Sequence, residues 1–456
     1  MSAKITFYGG AGTVTGANFL LGTGNNRILI DCGALEREHL TDNRCDLENL
    51  KAFAYDPKSI DALIITHAHQ DHIGRVPKLV RDGFRGMIHS TPATKALSAI
   101  MFDDALSIMQ SDAERHGCAV MYEKEDIDRA LSIWQTHEYH EGFSIADSAV
   151  EFLDAGHILG SAMIKCTRNE RAIIFTGDIG NSPEPLLNDV EPPAGANYLV
   201  MESVYGDRLH EDRGARREIL KHAVEDARHN RGTLLIPSFS LERTQVLLFE
   251  LNEMIEQKEI APIPVYLDAP LAIRITEVFD TYKNELNATA RGEFAHGHDP
   301  FAFPGLVRTS DVSDSRQIHT MPDPKIVIAG SGMSSGGRIR AHEMRYLSDE
   351  HASVLLVGYQ APGSLGRRIQ DGEKEIEIGN EKISIRAQIE TLTGYSGHAD
   401  RDQLLDFVEK AGESLEKIFV VMGEPKASLF LAQRIKDFLG INATVPEALQ
   451  SFDIEW

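Results

Sequence analysis

The sequence predicts an α/β protein in which one domain is interrupted by a second, and three observations carry that prediction. Short apolar, β-branched runs alternate with amphipathic helical stretches almost throughout the chain. After about residue 203 the texture changes to isolated strands separated by charged helices, the spacing of a doubly wound parallel sheet. From about Ile383 the chain returns to strand–loop–helix units.

Each element can be justified in turn. Early strands lie close together, "KITFYG" (4–9), "ANFLLGT" (17–23) and "RILIDCG" (27–33), joined by turns rich in glycine and asparagine. "ALIIT" (62–66) is a buried type of strand, and a helix is expected to start near Asp71 and stop at Gly83. A longer helical region spans about Ala93 to Glu114. "VEFLDAG" (150–156), "AMIKCT" (162–167), "RAIIFTGD" (171–178) and "ANYLVMES" (196–203) are further strands. In the inserted region "TLLIPS", "PVYLDA", "KIVIAGSG" and "SVLLVGY" are isolated strands; "ISIRAQIETL", the helix "DRDQLLDFVEKAG" and "KIFVVMG" follow.

Bulk properties narrow the function classes. A chain of 456 residues, 42% hydrophobic and 25% charged, has room for two or three domains, each with its own core. No apolar run reaches 18 residues and the N-terminus lacks a secretory pattern, so neither a membrane span nor a leader is expected. Cys32, Cys45, Cys118 and Cys166 form no C-x-x-C pair, a pattern that fits reduced thiols in a cytoplasmic protein better than a disulfide framework. A net charge of −23 argues against a surface that coats nucleic acid, although metals and a few arginines can invert the potential inside one groove.

The chemistry concentrates in "THAHQDHIG" (66–74), which places His67, His69, Asp71 and His72 on a loop leaving a strand. Open α/β folds gather ligands at that end of a strand. Imidazole with carboxylate suits Zn²⁺ better than Mg²⁺, with Mn²⁺ or Fe²⁺ as alternatives. His157 in "DAGHILGSA" and Asp178 in "FTGDIG" also follow apolar strands and are flanked by glycines, so the set is large enough for two metals, with Asp178 suited to bridge them. "HGHD" (296–299) and "THEYH" (136–140) lack a feeding strand and are weaker metal motifs. "YGGAGTVTG" lacks the spacing of a phosphate-binding loop and is read as turn glycines beside the metal pocket.

With these motifs in this order, the sequence resembles the metallo-β-lactamase superfamily. Asp31 of "LIDCG" matches its first motif, which implies a carboxylate that orients a metal-bound histidine from behind. "VMESVYGDR", through Glu202, and "GYSGHAD", through His398, resemble the β-CASP branch, the nucleases of RNA processing and DNA repair. "PSFSLERTQ", "GSGMSSGGRI" and "GYQAPGSLGRRI" are similar to its bacterial and archaeal RNA-cleaving members, among them RNA exonucleases. The implied fold is a four-layer αβ/βα metallo-β-lactamase domain, residues 1–205 and 390–456, interrupted by a doubly wound β-CASP domain at 206–389. One departure stands out. Where RNA-cleaving members carry a metal-binding histidine, "VVMGEPKAS" has Met422, a poor zinc ligand. The second metal is therefore expected on Asp71, His72 and Asp178 alone, and the choice between RNA and DNA is left open.

The resemblance implies two Zn²⁺ ions, or Mn²⁺, with His67, His69 and His157 on the first, Asp71 and His72 on the second, and Asp178 on both. Asp71 would also hold the attacking water, while His398, oriented by Glu202, would protonate the leaving oxygen. Ser396, Gly397 and the amides of the helix after His398 are candidates for a phosphate oxygen, and Asp400 for that helix's N-cap. Arg243, Arg338, Arg367 and Arg368 are candidates for backbone phosphates, with Ser331, Gly332, Gly336 and Gly337 lining the same cleft. The leading expectation is a zinc-dependent ribonuclease acting on single-stranded RNA, away from membranes, with a homodimer implied by resemblance. Its rivals are a small-molecule hydrolase of the same superfamily and a catalytically silent RNA-binding subunit.

Overall fold

A computed structural model describes residues 2–24, 26–35, 45–210, 213–295, 297–361 and 363–456. The chain forms two compact units, Met1–Leu209 with His398–Trp456, and His210–Gly397. The edge strand Gln388–Leu392 belongs to the second unit, so the return to the first comes at His398.

The first unit is built on two seven-stranded sheets. One runs in the order Ser451–Glu455, Ser2–Gly9, Asn18–Thr23, Asn26–Ile30, Ala62–Ile64, Met87–Ser90, Trp134–Thr136. The other runs Asn442–Thr444, Lys417–Val420, Tyr198–Met201, Arg171–Phe175, Ala162–Arg168, Ser148–Asp154, Phe143–Ile145. Alternate residues of both sheets, among them Phe7, Phe19, Ile30, Ile64, Phe152, Ile164, Phe175 and Phe419, bury one face of each sheet in a common core. On the other face of the second sheet, Leu199, Met201 and Ile418 pack with Leu404 and Phe407 of helix Arg401–Glu409 and Leu431 and Ile435 of helix Pro425–Leu439. That is the layered arrangement the sequence predicts.

What positions the site is a row of parallel strand ends. Asn26–Ile30 pairs with Ala62–Ile64, and Arg171–Phe175 with Tyr198–Met201 and then Lys417–Val420, all in parallel. Their carboxyl ends deliver Asp31, Thr66, Asp178, Glu202 and Met422. The helix expected from Asp71 to Gly83 is two short helices, Gln70–Ile73 and Val76–Arg81. The break has a local cause: Pro77 opens the second helix, and the Arg75 amide donates to Cys32 O at 2.9 Å. The long helix runs Pro92–His116, capped by the Thr91 hydroxyl and ended by Gly117 in the left-handed conformation at φ 69°.

The cysteines depart from expectation. Cys45 and Cys118, 73 positions apart, form a disulfide across a Cα separation of 5.2 Å, while Cys32 and Cys166 are buried free thiols. Spacing in the sequence carries no trace of that pairing, because it depends on where the long helix ends.

The inserted unit has a fully parallel sheet in the order Leu306–Arg308, Val265–Asp268, Lys325–Ala329, Thr233–Pro237, Ser353–Val357, Gln388–Leu392. Central strands such as Lys325–Ala329 are buried along their whole length, as helices on both faces require. "ISIRAQIETL" is not one strand. Its first part pairs with Glu375–Ile378 in a separate hairpin, the amides of Arg386 and Ala387 both donate to Leu347 O, and the second part joins the main sheet. Among the described residues no helix is long and apolar enough to cross a membrane.

Candidate metal centre

Three groups of donor atoms converge at the strand ends of the first unit. His67, His69, His157 and Asp178 form one, Asp71, His72 and Asp178 a second, and Asp178, Glu202 and His398 a third. In the first, His67 Nε2 lies 3.1 Å from His69 Nδ1 and 3.4 Å from Asp178 Oδ2. His157 Nε2 lies 3.2 Å from His69 Nδ1 and 3.5 Å from Asp178 Oδ2. Donors placed about 2.0–2.1 Å from a tetrahedral zinc stand about 3.3 Å apart, so these spacings fit such an ion. In the second group, His72 Nε2 is 3.4 Å from Asp178 Oδ1 and 3.7 Å from Asp71 Oδ2.

Local sequence explains the convergence. The extended segment after Ala62–Ile64 points His67 and His69 into one pocket, and the next turn, Gln70–Ile73, carries Asp71 and His72. Its backbone is held from behind: Ala17 N donates to Asp71 O and Cys32 N to His72 O, both at 2.8 Å. The "YGGAGTVTG" stretch thus leads into the wall behind the pocket. A Cβ at Gly33 would lie 1.5 Å from Asp71 O, so no side chain fits there. Ser161 Oγ accepts the amides of His157 and Ile158, fixing the turn that presents His157.

Two buried atoms test whether this donor set fits metal ions. His72 Nε2 and Asp178 Oδ1 have no hydrogen-bond partner, although burial normally demands one. Both belong to the second group. Behind the donors, Asp31 Oδ2 lies 2.7 Å from His72 Nδ1, and Thr66 Oγ1 lies 3.0 Å from His67 Nδ1, leaving each Nε2 to face the cluster. Burial, and then the neighbouring His72, hold His67 well below the usual imidazole range; burial, and then His157, do the same to His69. Neutral imidazoles are what a metal requires. The residues present fit metal binding.

Beside them, burial disfavours charge on His398, but Glu202 more than offsets this and lifts its pKa to about 9. The Glu202 carboxylate is fully buried; Oε1 accepts the Ile179 amide at 2.6 Å and lies 3.2 Å from His398 Nδ1, and Oε2 accepts the Val204 amide. His398 is fastened by a bridge to Gly180, two residues past Asp178. Met422 is buried in the core between the sheets, where a Cβ at Gly10 would meet both its sulfur and the Phe19 ring. The second donor group holds Asp71, His72 and Asp178.

Several candidates for substrate contact have other occupations. Arg338 donates to Asp268 Oδ1 at 2.6 Å and to Thr309 O at 3.1 Å, which ties a helix start to a neighbouring strand end. Arg367 pairs with Asp371 at 2.9 Å and Arg368 with Glu373 at 2.7 Å. Arg243 stacks over the Tyr395 ring at 5.5 Å. Ser331 Oγ accepts amides of Ser335 and Gly336 and so closes its own loop, and Gly332 packs under the Phe239 ring. Ser396 is buried and, with Gly397, ends the inserted unit just before His398. The helix amides expected to meet phosphate are already used: Asp400 caps Asp402 N and Gln403 N, and Arg401 N donates to Arg208 O. For "HGHD", His296 lies outside the described residues; Glu256, Glu293 and His298 gather there, but on an exposed surface. In "THEYH", His137 stacks on Phe143 at 3.7 Å and His140 faces Glu151 and Glu191.

Comparison with known proteins agrees with the geometry. The sequence matches the family profiles described as "Metallo-beta-lactamase superfamily" over residues 11–238, "Beta-Casp domain" over 244–369 and "Zn-dependent metallo-hydrolase RNA specificity domain" over 382–446. It is 35% identical over 431 residues to "Ribonuclease TTHA0252" of Thermus thermophilus, covering 94% of this chain and 95% of that protein. The chain belongs to the β-CASP branch of the metallo-β-lactamase superfamily. It is a metal-dependent hydrolase. Other β-CASP relatives include "Transcription termination factor FttA" of Methanosarcina mazei, 32% identical over 454 residues and covering 95% of this chain and 68% of that one. "RNase J-like protein" of Methanocaldococcus jannaschii is 29% identical over 449 residues, covering 97% of each chain. A crystal structure of a protein of unknown function from Enterococcus faecalis V583 matches with a TM-score of 0.57 at 12% identity over 100% of both chains, a likeness of fold alone.

Proposed function

We propose that this β-CASP hydrolase is a ribonuclease that cleaves RNA phosphodiester bonds with two zinc ions, one held by His67, His69, His157 and Asp178, the other by Asp71, His72 and Asp178. The observation that carries this reading is the division of Asp178, with Oδ2 turned to the histidine triad and Oδ1 to His72. Bound there, such ions supply a nucleophile at neutral pH by lowering the pKa of water, and they polarise the phosphoryl group.

The chain's own residues do the rest. His398, kept protonated by Glu202, gives a proton to the leaving oxygen, and Glu202 holds the ring in the orientation this needs. The Asp71 carboxylate, a quarter exposed, is the acceptor placed to orient an incoming water. The acidic surface is no obstacle, because the cations that meet phosphate are the metals rather than surface lysines. Support for RNA as substrate comes from the RNA specificity profile over 382–446 and from the relatives named ribonuclease.

Purified protein supplied with Zn²⁺ or Mn²⁺ is expected to shorten single-stranded RNA. Asp71→Ala and His398→Ala are each expected to remove most of that activity while metal-independent folding is kept. Undiminished cleavage by both variants would rule out this assignment of roles.

A further inference from the structure

We propose that Thr66 is the positioning residue that fixes the ligand tautomer of His67 and ties the two donor groups to a single carboxylate, Asp31. This inference rests on the two-metal reading above and adds to it a residue that touches no metal.

Proton counting forces the roles. Asp31 Oδ1 accepts the Thr66 amide and Oδ2 lies 2.8 Å from Thr66 Oγ1. A carboxylate only accepts, so the single hydroxyl proton of Thr66 goes to Asp31. The hydroxyl oxygen is then left with lone pairs alone, and His67 Nδ1 lies 3.0 Å from it. That contact is a hydrogen bond only if His67 carries its proton on Nδ1. Its Nε2 lone pair is thereby turned to His69 and Asp178, 3.1 and 3.4 Å away. His72 is treated differently: its Nδ1 reaches Asp31 directly at 2.7 Å and Thr66 at only 3.3 Å.

Packing encloses the hydroxyl. Thr66 is 1% exposed and its carbonyl accepts the Ala162 amide at 2.8 Å. A Cβ at Gly177 would stand 2.7 Å from Thr66 Cβ and 2.8 Å from Oγ1. Gly177 precedes Asp178, so the turn that delivers the bridging carboxylate also presses on the side chain that sets His67. The dependence is therefore unequal. His67 relies on Thr66, whereas His72 retains Asp31 when the hydroxyl is gone.

The experiment titrates metal-free protein with Zn²⁺ against a chromophoric chelator, with His67→Ala marking which binding step belongs to the histidine triad. Thr66→Val is expected to weaken that step by roughly 10–100-fold and to leave the other within about threefold. Asp31→Asn is expected to weaken both, and Thr66→Ser to restore the triad step. In the metal-free proteins, two-bond ¹H–¹⁵N correlations should show His67 protonated on Nδ1 in wild type and Thr66→Ser but not in Thr66→Val. Should Thr66→Val fail to fold, Thr66→Ala removes the hydroxyl without a new methyl beside Gly177 and is read in the same way. Wild type taking two ions beside a hydroxyl-free variant with the same two affinities overturns the role of Thr66 alone. Wild type that takes fewer than two ions overturns the two-metal reading, and this inference with it.

Discussion

Both units bury an aspartate among histidines, and only one of the two clusters has the makings of a metal site. In the inserted unit Asp268 is fully buried and accepts from Thr309 Oγ1 at 2.8 Å, Ser315 Oγ at 2.6 Å and Arg338 Nη1 at 2.6 Å, with His342 Nε2 at 2.8 Å. His342 in turn meets His319 at 3.1 Å. Burial works against the Asp268 charge, but His342 and the other donors more than offset it and hold the carboxyl well below its usual range. Both oxygens of Asp268 and both ring nitrogens of His342 are engaged within the protein. In the first unit Asp178 Oδ1 and His72 Nε2 are left over. Buried histidine and carboxylate make a site only when their lone pairs remain unclaimed; otherwise the same residue types are a structural knot.

Cutting each aspartate should separate the two cases, and the largest effect is expected in the first unit. Asp178→Asn removes the carboxylate shared by both donor groups and is expected to lower RNA cleavage by roughly 10³-fold or more, with loss of bound zinc by elemental analysis. Asp268→Asn removes the charge and turns one of the two acceptor oxygens into a donor NH₂, so one pair of its four donors, Thr309 with Arg338 or Ser315 with His342, loses its acceptor. It should keep zinc content unchanged and lower unfolding free energy by about 2–4 kcal/mol in urea titrations. Zinc loss in Asp268→Asn at full stability would erase the distinction.

A smaller effect concerns a buried carboxyl of the inserted unit that lies outside the Asp268 cluster. Glu343 is fully buried, bonded to the Ser334 hydroxyl through Oε1, while Oε2 has no partner. Burial pushes its carboxyl up from 4.5 to about 7, with Ser334 and then Arg340 opposing. A raised acid favours its neutral form in the folded state. Its contribution is therefore fully present below about pH 4.5 and is lost as pH rises through about 7. Glu343→Gln, permanently neutral, is expected to match wild type at pH 5 and to exceed its stability at pH 8, by at most about 3 kcal/mol. Equal differences at both pH values, in thermal unfolding, would show that Glu343 does not titrate in this range.

The same contrast explains how much was readable in advance. His67, His69, Asp71 and His72 are legible because they are contiguous and follow an apolar strand; His157 and Asp178 repeat the strand–glycine–ligand pattern. The pairing of Arg338 is not legible, because its partner Asp268 lies 70 positions away. Nor is the stacking of Arg243 over the ring of the distant Tyr395. The final strand pairs with the first across 445 positions, and the disulfide spans 73. Local periodicity reports which face of an element is apolar, not which distant element meets it. Thr66 sits in plain view inside the metal motif, yet only the distances to Asp31 and His67 reveal what its proton does.

The smallest expected effect sits at the boundary between a filled and an unfilled donor set. The first group offers four ligand side chains and the second three, with Met422 turned into the core at the position where the resemblance expects a histidine. Wild type should therefore release its second zinc first on dialysis against a chelator. Met422→His adds an imidazole at a backbone position that is already strained, φ 46°, and packed against Gly10, whose carbonyl accepts the Met422 amide at 2.7 Å. The ring must leave the apolar core to reach the second group, so the gain is partial. We expect the two zinc affinities to draw closer by about tenfold, near 1.4 kcal/mol, with a loss of stability of similar size. Unchanged release of the second ion from Met422→His would mean that residue 422 lies out of reach and that the second group is complete with three protein ligands.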